Sequence, residues 1–274
     1  MELNNYYMRQ EEKVALRFIL NATVTGSKTI LISGVPGIGK TYLGMCLAET
    51  KGWPLVKYQC HAWSSDQELF NSISVSAVVK NDTENIIEKG KFLEAAELSH
   101  EGPVLLIVDE LDKAPEMVDS LLYDFLQYGR VPAGEGKYVQ ADLNNLYIFI
   151  TTNNNRELND AIIRRCRRLH MNQLPDNVID DIISSKSSVS INMARKIRKI
   201  GQILSLQDNK PYSIQEMVNL TEEIKLAETK KEMIISISAW FVKGPRGEEY
   251  LSSNKANTIL NELYSIIKGK NYGI

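Results

Sequence analysis

Eight consecutive residues, Gly34-Val35-Pro36-Gly37-Ile38-Gly39-Lys40-Thr41, form a G-x-x-x-x-G-K-[ST] run between an apolar stretch and a helical pattern, Thr41–Thr50. Glycines at 34, 37 and 39 let backbone N–H groups turn inward around a polyphosphate, and the helix N-terminus adds favourable partial charge. Lys40 is placed to reach the β- and γ-phosphates, and the Thr41 hydroxyl can ligate Mg²⁺. Tyr42 ends the run of residues expected to line the nucleotide.

A second group of reactive side chains lies seventy residues later. In Val104-Leu-Leu-Ile-Val108-Asp109-Glu110 two acids come directly after a hydrophobic strand, which puts them at its C-terminal end. Asp109 is assigned to Mg²⁺, directly or through its water. Glu110 is assigned to the attacking water, because phosphoryl transfer needs positioning and charge compensation more than covalent chemistry. A third run, Leu146-Tyr-Ile-Phe-Ile-Thr-Thr152-Asn153, ends in an amide that can donate to a γ-phosphate and accept from water at once. Asn154 and Asn155 stand beside it as substitutes. A fourth, Leu158 to Arg168, reads as an apolar helix ending in Arg164, Arg165, Arg167 and Arg168 around Cys166. Arginines there either complement the helix dipole or recognise phosphate bidentately.

Positioning these groups requires a parallel α/β sheet. Short β-branched runs (29–33, 55–59, 104–108, 146–152) alternate with amphipathic stretches through the first 170 or so residues. Two of them, Ile30-Leu31-Ile32 and Val104–Val108, lack polar alternation and are expected as central strands covered on both faces. Ligands then gather at their C-terminal ends. After about Asn172 helical periodicity takes over, as in Met193, Ile197, Ile200 and Leu204 with basic residues opposite. Ser213-Ile-Gln-Glu216 is a capping box opening a further helix to about Leu226. The expectation is a nucleotide-binding domain over 1–172 and a small all-helical lid over 173–274 of at least three helices, with a Gly-Pro-Arg-Gly turn at 244–247.

Composition narrows the partners. The chain has 274 residues and balances 32 Lys+Arg against 34 Asp+Glu, so no global field would hold nucleic acid or an anionic membrane. Its three cysteines, Cys46, Cys60 and Cys166, are widely spaced and fit neither a disulfide framework nor a zinc site. With no apolar leader-like segment and no long apolar run, a cytoplasmic protein outside the membrane is expected. His61 is assigned a structural hydrogen bond, Cys46 a core position, and Trp240-Phe241 a packing role.

Taken together and in this order, the four motifs resemble an AAA+ module, and in closer wording its MoxR-like or dynein-related branch. The likeness covers most of residues 13–228. Its carriers are the Walker A loop, Val56-Lys-Tyr-Gln-Cys-His61 with Glu68-Leu-Phe, Gly90–Ala96, the Walker B Asp109-Glu110-Leu-Asp112-Lys-Ala-Pro115, Leu121–Leu126, Thr151-Thr-Asn153 and the arginine-rich segment. The resemblance implies an ATP-hydrolysing P-loop NTPase fold with Mg²⁺ as cofactor, ATP rather than GTP as nucleotide, and a homo-oligomeric ring, usually a hexamer. It implies Asn153 as sensor 1, and Arg165, with Arg164 next, reaching a neighbouring subunit's γ-phosphate. It also implies an insertion toward the pore within 71–90, a hairpin over 130–145, and a partner with a von Willebrand A domain. The chain departs from the pattern at the lid arginine called sensor 2, where Gln215 stands. Arg195 and Arg198 are alternatives, read here as a solvated basic face.

Three functions remain open at this level: a ring that remodels a partner protein complex, an ATPase acting on DNA or RNA through Lys196, Arg198 and Lys199, and a module that uses ATP only to assemble. A catalytic glutamate together with an arginine acting in trans favours the first.

Overall fold

The computed structural model describes all residues except 1, 5, 22, 24, 74–86, 133–136 and 270–274, with backbone alone for 67, 71–73, 87 and 88. Its contacts divide the chain into two units, Met1–Gly34 with Gly39–Met171, and Val35–Ile38 with Asn172–Ile274.

The first unit begins α1 (Gln10–Asn21), β1 (Lys28–Ser33), α2 (Lys40–Lys51), β2 (Leu55–Gln59), α3 (Asp66–Leu69), β3 (Asn71–Ile73) and β4 (Ile87–Lys89). It continues α4 (Lys91–Leu98), β5 (Val104–Asp109), a 3₁₀ turn (Leu111–Lys113), α5 (Met117–Tyr128), β6 (Arg130–Pro132) and β7 (Tyr138–Gln140). It closes with β8 (Leu146–Thr152), α6 (Asp160–Ile163) and β9 (Arg167–His170). Five strands form one parallel sheet in the order β2-β5-β8-β1-β9. The two runs without polar alternation, β1 and β5, are indeed flanked on both sides, and β5 and β8 are buried along their whole length. Such strands can lie only between covering layers, since neither face offers water a polar side chain.

The strand register brings the reactive ends together. Ser33 pairs with Thr152, Gln59 with Asp109, and Val108 with Ile150, so the C-terminal ends of β1, β2, β5 and β8 come level at one edge. Helix α2 lies close against the sheet because residue 44 is glycine: a Cβ there would meet Ile107 Cδ1 at 2.8 Å and Phe149 Cδ2 at 3.1 Å. The other face packs around Phe92, which makes edge contacts with Tyr58, Phe70 and, at 4.9 Å between centroids, Phe125. Phe92 is fully buried, so Phe92→Ala would cost roughly 3–5 kcal/mol of transfer and cavity energy. Gly90, just before α4, passes so near the preceding helix end that a Cβ would lie 2.5 Å from the Leu69 carbonyl carbon.

Strands β3 and β4 pair antiparallel, and the expected pore insertion between them falls on 74–86, outside the described residues. Strands β6 and β7 also pair antiparallel, Val131 opposite Val139, as a hairpin requires. The arginine-rich segment differs from its reading as a helix end. Helix α6 stops at Ile163, and Arg167 and Arg168 lie on the edge strand β9, whose Leu169 is buried opposite Ile32 of β1. A four-residue strand with one apolar side chain leaves too little alternation to be seen beforehand.

The second unit contains six helices among the described residues: α7 (Asp176–Ser187), α8 (Ile191–Asp208), α9 (Ile214–Ile224), α10 (Lys230–Phe241), α11 (Pro245–Leu251) and α12 (Asn254–Lys268). Met193, Ile197, Ile200 and Leu204 of α8 are buried in its core, and both halves of the Ser213–Glu216 capping box are made. Within this unit Gly37, at φ 76°, leaves room for Ser213 alone: a Cβ would come 2.6 Å from Ser213 Cβ. Residues 244–247 begin α11 rather than forming a free turn, because Pro245 sits at the first helical position and the Asp208 carboxylate accepts from the Lys243 and Gly247 N–H groups. Arg198 is a second correction to the sequence reading. It is buried and bonded to Asp180 through Nε (2.5 Å) and Nη2 (3.2 Å), with Nη1 2.7 Å from Asp176, so it ties α7 to α8 instead of joining a solvated basic face. Among the described residues no helix is long and apolar enough to cross a membrane.

Candidate nucleotide site

The loop between β1 and α2 takes the conformations its glycines permit, with φ of 152° at Gly34, 76° at Gly37 and 99° at Gly39. Val35 and Pro36 are exposed and Ile38 is half-buried. Gly39 caps α2 without any side-chain hydrogen bond, so no capping side chain covers the N-terminus of the helix. Tyr42, half-exposed on the first turn, lies 5.8 Å from the Tyr6 ring, and Tyr6 also borders Gly39.

Behind this loop the aligned strand ends converge. The Lys40 ammonium is buried and donates to the Gly34 carbonyl at 2.7 Å and to Asn153 Oδ1 at 2.6 Å. Burial lowers its pKa below the ordinary lysine value, against the opposing pull of Asp112, Glu110 and Asp109. The other end of the same carboxamide, Asn153 Nδ2, donates to Glu110 Oε1 at 2.9 Å. Loop lysine, strand-end amide and glutamate therefore form one chain across three strands.

Thr41 and Asp109 meet as well. Thr41 Oγ1 donates to Asp109 Oδ1 at 2.6 Å, and Thr151 Oγ1 donates to the same oxygen at 2.7 Å. Lys57 Nζ lies 3.0 Å from Oδ2. Burial alone would raise the Asp109 pKa, but these three donors more than offset it, and the carboxyl titrates below the usual aspartate value. A hydroxyl touching an ionised carboxylate at the foot of a phosphate loop suits Mg²⁺, which takes one or two protein oxygens and completes its shell with water and substrate phosphates. Among the described residues no group of three or more His, Cys, Asp or Glu side chains could hold a metal by itself.

Glu110 is held from several sides. Its backbone is left-handed, φ 56°, a conformation that non-glycine residues seldom adopt, and its N–H donates to Thr151 Oγ1 at 2.8 Å. Its Oε2 accepts from Gln59 Nε2 at 2.9 Å and Lys113 Nζ at 2.6 Å. Asp112, buried two residues on, accepts from the N–H groups of Asn153 (3.1 Å) and Asn155 (2.9 Å) and so fastens the loop after β8 to the loop after β5.

The two arginines differ. Arg164 is largely exposed, with Asp160 3.7 Å away. Arg165 folds over the Tyr123 ring, 3.7 Å from its centroid, and Nη1 donates to the Ala161 carbonyl at 2.7 Å. The structure brings Lys40, Thr41, Asp109, Glu110 and Asn153 together, as their places at the strand ends predict, and does not bring Arg164 or Arg165 to them. Lys57, Gln59, Asp112, Thr151 and the Arg156–Asp119 pair join this network without any motif that assigns them a role in the sequence. For Lys57 and Gln59 a signal existed: β2 alternates exposed and buried, so both share the face that reaches the β5 acids.

His61 makes the structural contacts expected of it, Nε2 to Glu68 at 3.2 Å and Nδ1 accepting from the Trp63 N–H. Cys46 is a core residue and Phe241 is fully buried.

A glycine loop running from β1 into a helix, two acids at the end of β5 and a polar residue at the end of β8, the strand between β1 and β5, make up a P-loop arrangement on a parallel sheet of order β2-β5-β8-β1-β9. The family described as AAA domain (dynein-related subfamily) matches residues 29–166, just over half of the chain. The chain belongs to that family. It is also similar to the replication factor C large subunit of Archaeoglobus fulgidus, 33% identical over 117 residues, which is 40% of this chain and 23% of that relative. The chain therefore spans about a quarter of the length of that curated protein. A crystal structure from Cytophaga hutchinsonii, there called a candidate ATPase, superposes with a TM-score of 0.46 at 15% identity over 96% of this chain and 91% of that one, a level that carries no argument about function.

Proposed function

We propose that this protein hydrolyses ATP with Mg²⁺, and that it does so at contacts between identical subunits arranged in a ring that remodels or assembles a partner protein complex. In this reading residues 1–172 bind and cleave the nucleotide and 173–274 act as its lid. The observation that carries the catalytic part is the chain Lys40–Asn153–Glu110, with bonds of 2.6 and 2.9 Å. Family membership adds support.

Backbone N–H groups of the loop 34–40, other than that of Pro36, which has none, and the Lys40 ammonium hold the β- and γ-phosphates. Thr41 and Asp109 would hold Mg²⁺, which supplies charge neutralisation at the phosphate oxygens when bound. Glu110 orients the attacking water and accepts its proton. Asn153 presents its N–H to the γ-phosphate while its carbonyl oxygen keeps Lys40 in place. Arg165, or Arg164 beside it, comes from the neighbouring subunit to compensate the charge that develops on the transferred phosphoryl group, a contribution of roughly 10³–10⁵ in rate where such arginines act.

Two variants test the assignment. Lys40→Ala should lose ATP binding or turnover, whereas Glu110→Gln should bind ATP normally and turn it over roughly a hundredfold or more slowly. Normal turnover by either would remove its residue from the site.

The likeness to a replication factor C subunit favours, as a second reading, an ATPase acting at DNA. The residues that would have lined a nucleic-acid path weigh against it, since Arg198 is buried against Asp180 and Lys196 is paired with Glu262.

A further inference from the structure

Helix α5 is the first α-helix after Asp109 and Glu110, reached through a 3₁₀ turn, and two residues one turn apart on it, Asp119 and Tyr123, share a face. The Asp119 carboxylate accepts from Arg156 Nη1 and Nη2 at 3.0 and 2.6 Å and from the Asn159 N–H at 2.9 Å, so it grips the segment that leads into α6. Tyr123 takes the far end of the same segment, where its ring lies under the Arg165 guanidinium at 3.7 Å.

The two arginines on this face are bonded very differently. Arg156 donates through Nε, Nη1 and Nη2 to Ala114, Asp119, Glu157 and Leu111, which is the pattern of a structural tie. Among the described residues the Arg165 side chain makes one hydrogen bond, from Nη1 to the Ala161 carbonyl, and its buried Nε has no partner. A buried N–H left unpaired is costly. What keeps Arg165 there is the ring, whose face attracts a cation without fixing the direction of its N–H groups. A side chain held in this way can slide over the ring and give its remaining donors to an anion.

We infer that Tyr123 is a positioning residue for Arg165, holding its guanidinium on α5 so that it meets the phosphate of an adjoining subunit from a fixed starting point. The inference rests on the proposed action of Arg165 in trans. It also links the sites around the ring, because α5 follows the acids of one nucleotide site after a 3₁₀ turn and carries at its middle the ring under the arginine destined for the next.

The test is a double-mutant cycle on the full chain, with single-turnover ATP hydrolysis and the KM for ATP as readouts. Tyr123→Leu should lower kcat about tenfold, in line with loss of one cation–π contact, with KM and thermal midpoint unchanged. Tyr123→Phe keeps the ring face and should stay within about twofold of wild type. In an Arg165→Ala background the same Tyr123→Leu change should alter kcat by less than about twofold, because Tyr123 acts only through Arg165. Should the leucine variant fold poorly, Tyr123→Met serves in its place with the same expected loss. Wild-type turnover by the leucine or methionine variant, or an equal loss in both backgrounds, would overturn the role of Tyr123. Normal turnover by Arg165→Ala alone would instead overturn the trans reading, and this inference with it.

Discussion

The Lys40 ammonium donates to the Asn153 carboxamide across 2.6 Å, joining the helix after β1 to the end of β8, and the same carboxamide continues to Glu110. One planar group thus fixes the distance between the loop lysine and the acid that follows β5. The carboxamide offers its acceptor to one and its donor to the other from separate atoms.

Asn153→Ala should therefore disconnect the two without emptying the phosphate loop. The expected result is a kcat about 10²–10³ lower, the usual loss for one preorganised donor, with ATP affinity changed far less. Equilibrium binding of a fluorescent ATP analogue beside steady-state hydrolysis separates the two. A large loss of affinity with normal kcat would assign Asn153 to binding instead.

Arg156→Met should unfold the first unit more readily. Asp119 is 2% exposed, and losing its guanidinium partner would leave a buried charge uncompensated, worth about 3 kcal/mol or more. Urea unfolding of the variant should show that decrement. A change below about 1 kcal/mol would mean that the pair is not the tie between α5 and the segment before α6.

Arg198→Met should likewise destabilise the helical unit by about 3 kcal/mol, since Asp180 is 3% exposed and loses its bidentate partner. If Arg198 served nucleic acid instead, the variant would keep its stability and lose affinity for DNA. Thermal unfolding and a DNA titration on the same sample decide between them.

The cysteines supply a pH prediction. Burial pushes the Cys60 thiol up to about 12, with Asp109 adding to it, and burial likewise pushes Cys166 to about 12 despite Arg165 nearby. At pH 8 the reactive thiolate is then on the order of one part in 10⁴, so native protein should react with a disulfide reagent at least about a hundredfold more slowly than unfolded protein. The rate should climb steadily as pH rises toward 12. A thiol reacting fast at pH 8 would contradict the buried placement.

How much of this could be read from the chain depended on whether the residues that matter are contiguous. Residues 28–41, 104–110 and 146–153 each carry strand and polar end in one run, so both their elements and the meeting of Lys40, Thr41, Asp109, Glu110 and Asn153 were legible. The lid helices announced themselves through apolar spacing and the Ser213–Glu216 box. Partnerships across long separations were not legible, because periodicity tells which face a side chain is on but not what meets it. Lys57 with Asp109, Arg156 with Asp119 and Arg198 with Asp180 are of this kind. So is β9, where only the pairing of Leu169 with Ile32 makes a strand of an arginine-rich tetrapeptide.

The central claim, catalysis shared between subunits, is met most directly by the Mg²⁺-dependent ATPase rate per subunit measured against protein concentration, with Glu110→Gln as the blank. The account predicts a rate that rises cooperatively as subunits assemble and a blank near zero throughout. A rate per subunit independent of concentration, from dilute monomer to assembled protein, would contradict it.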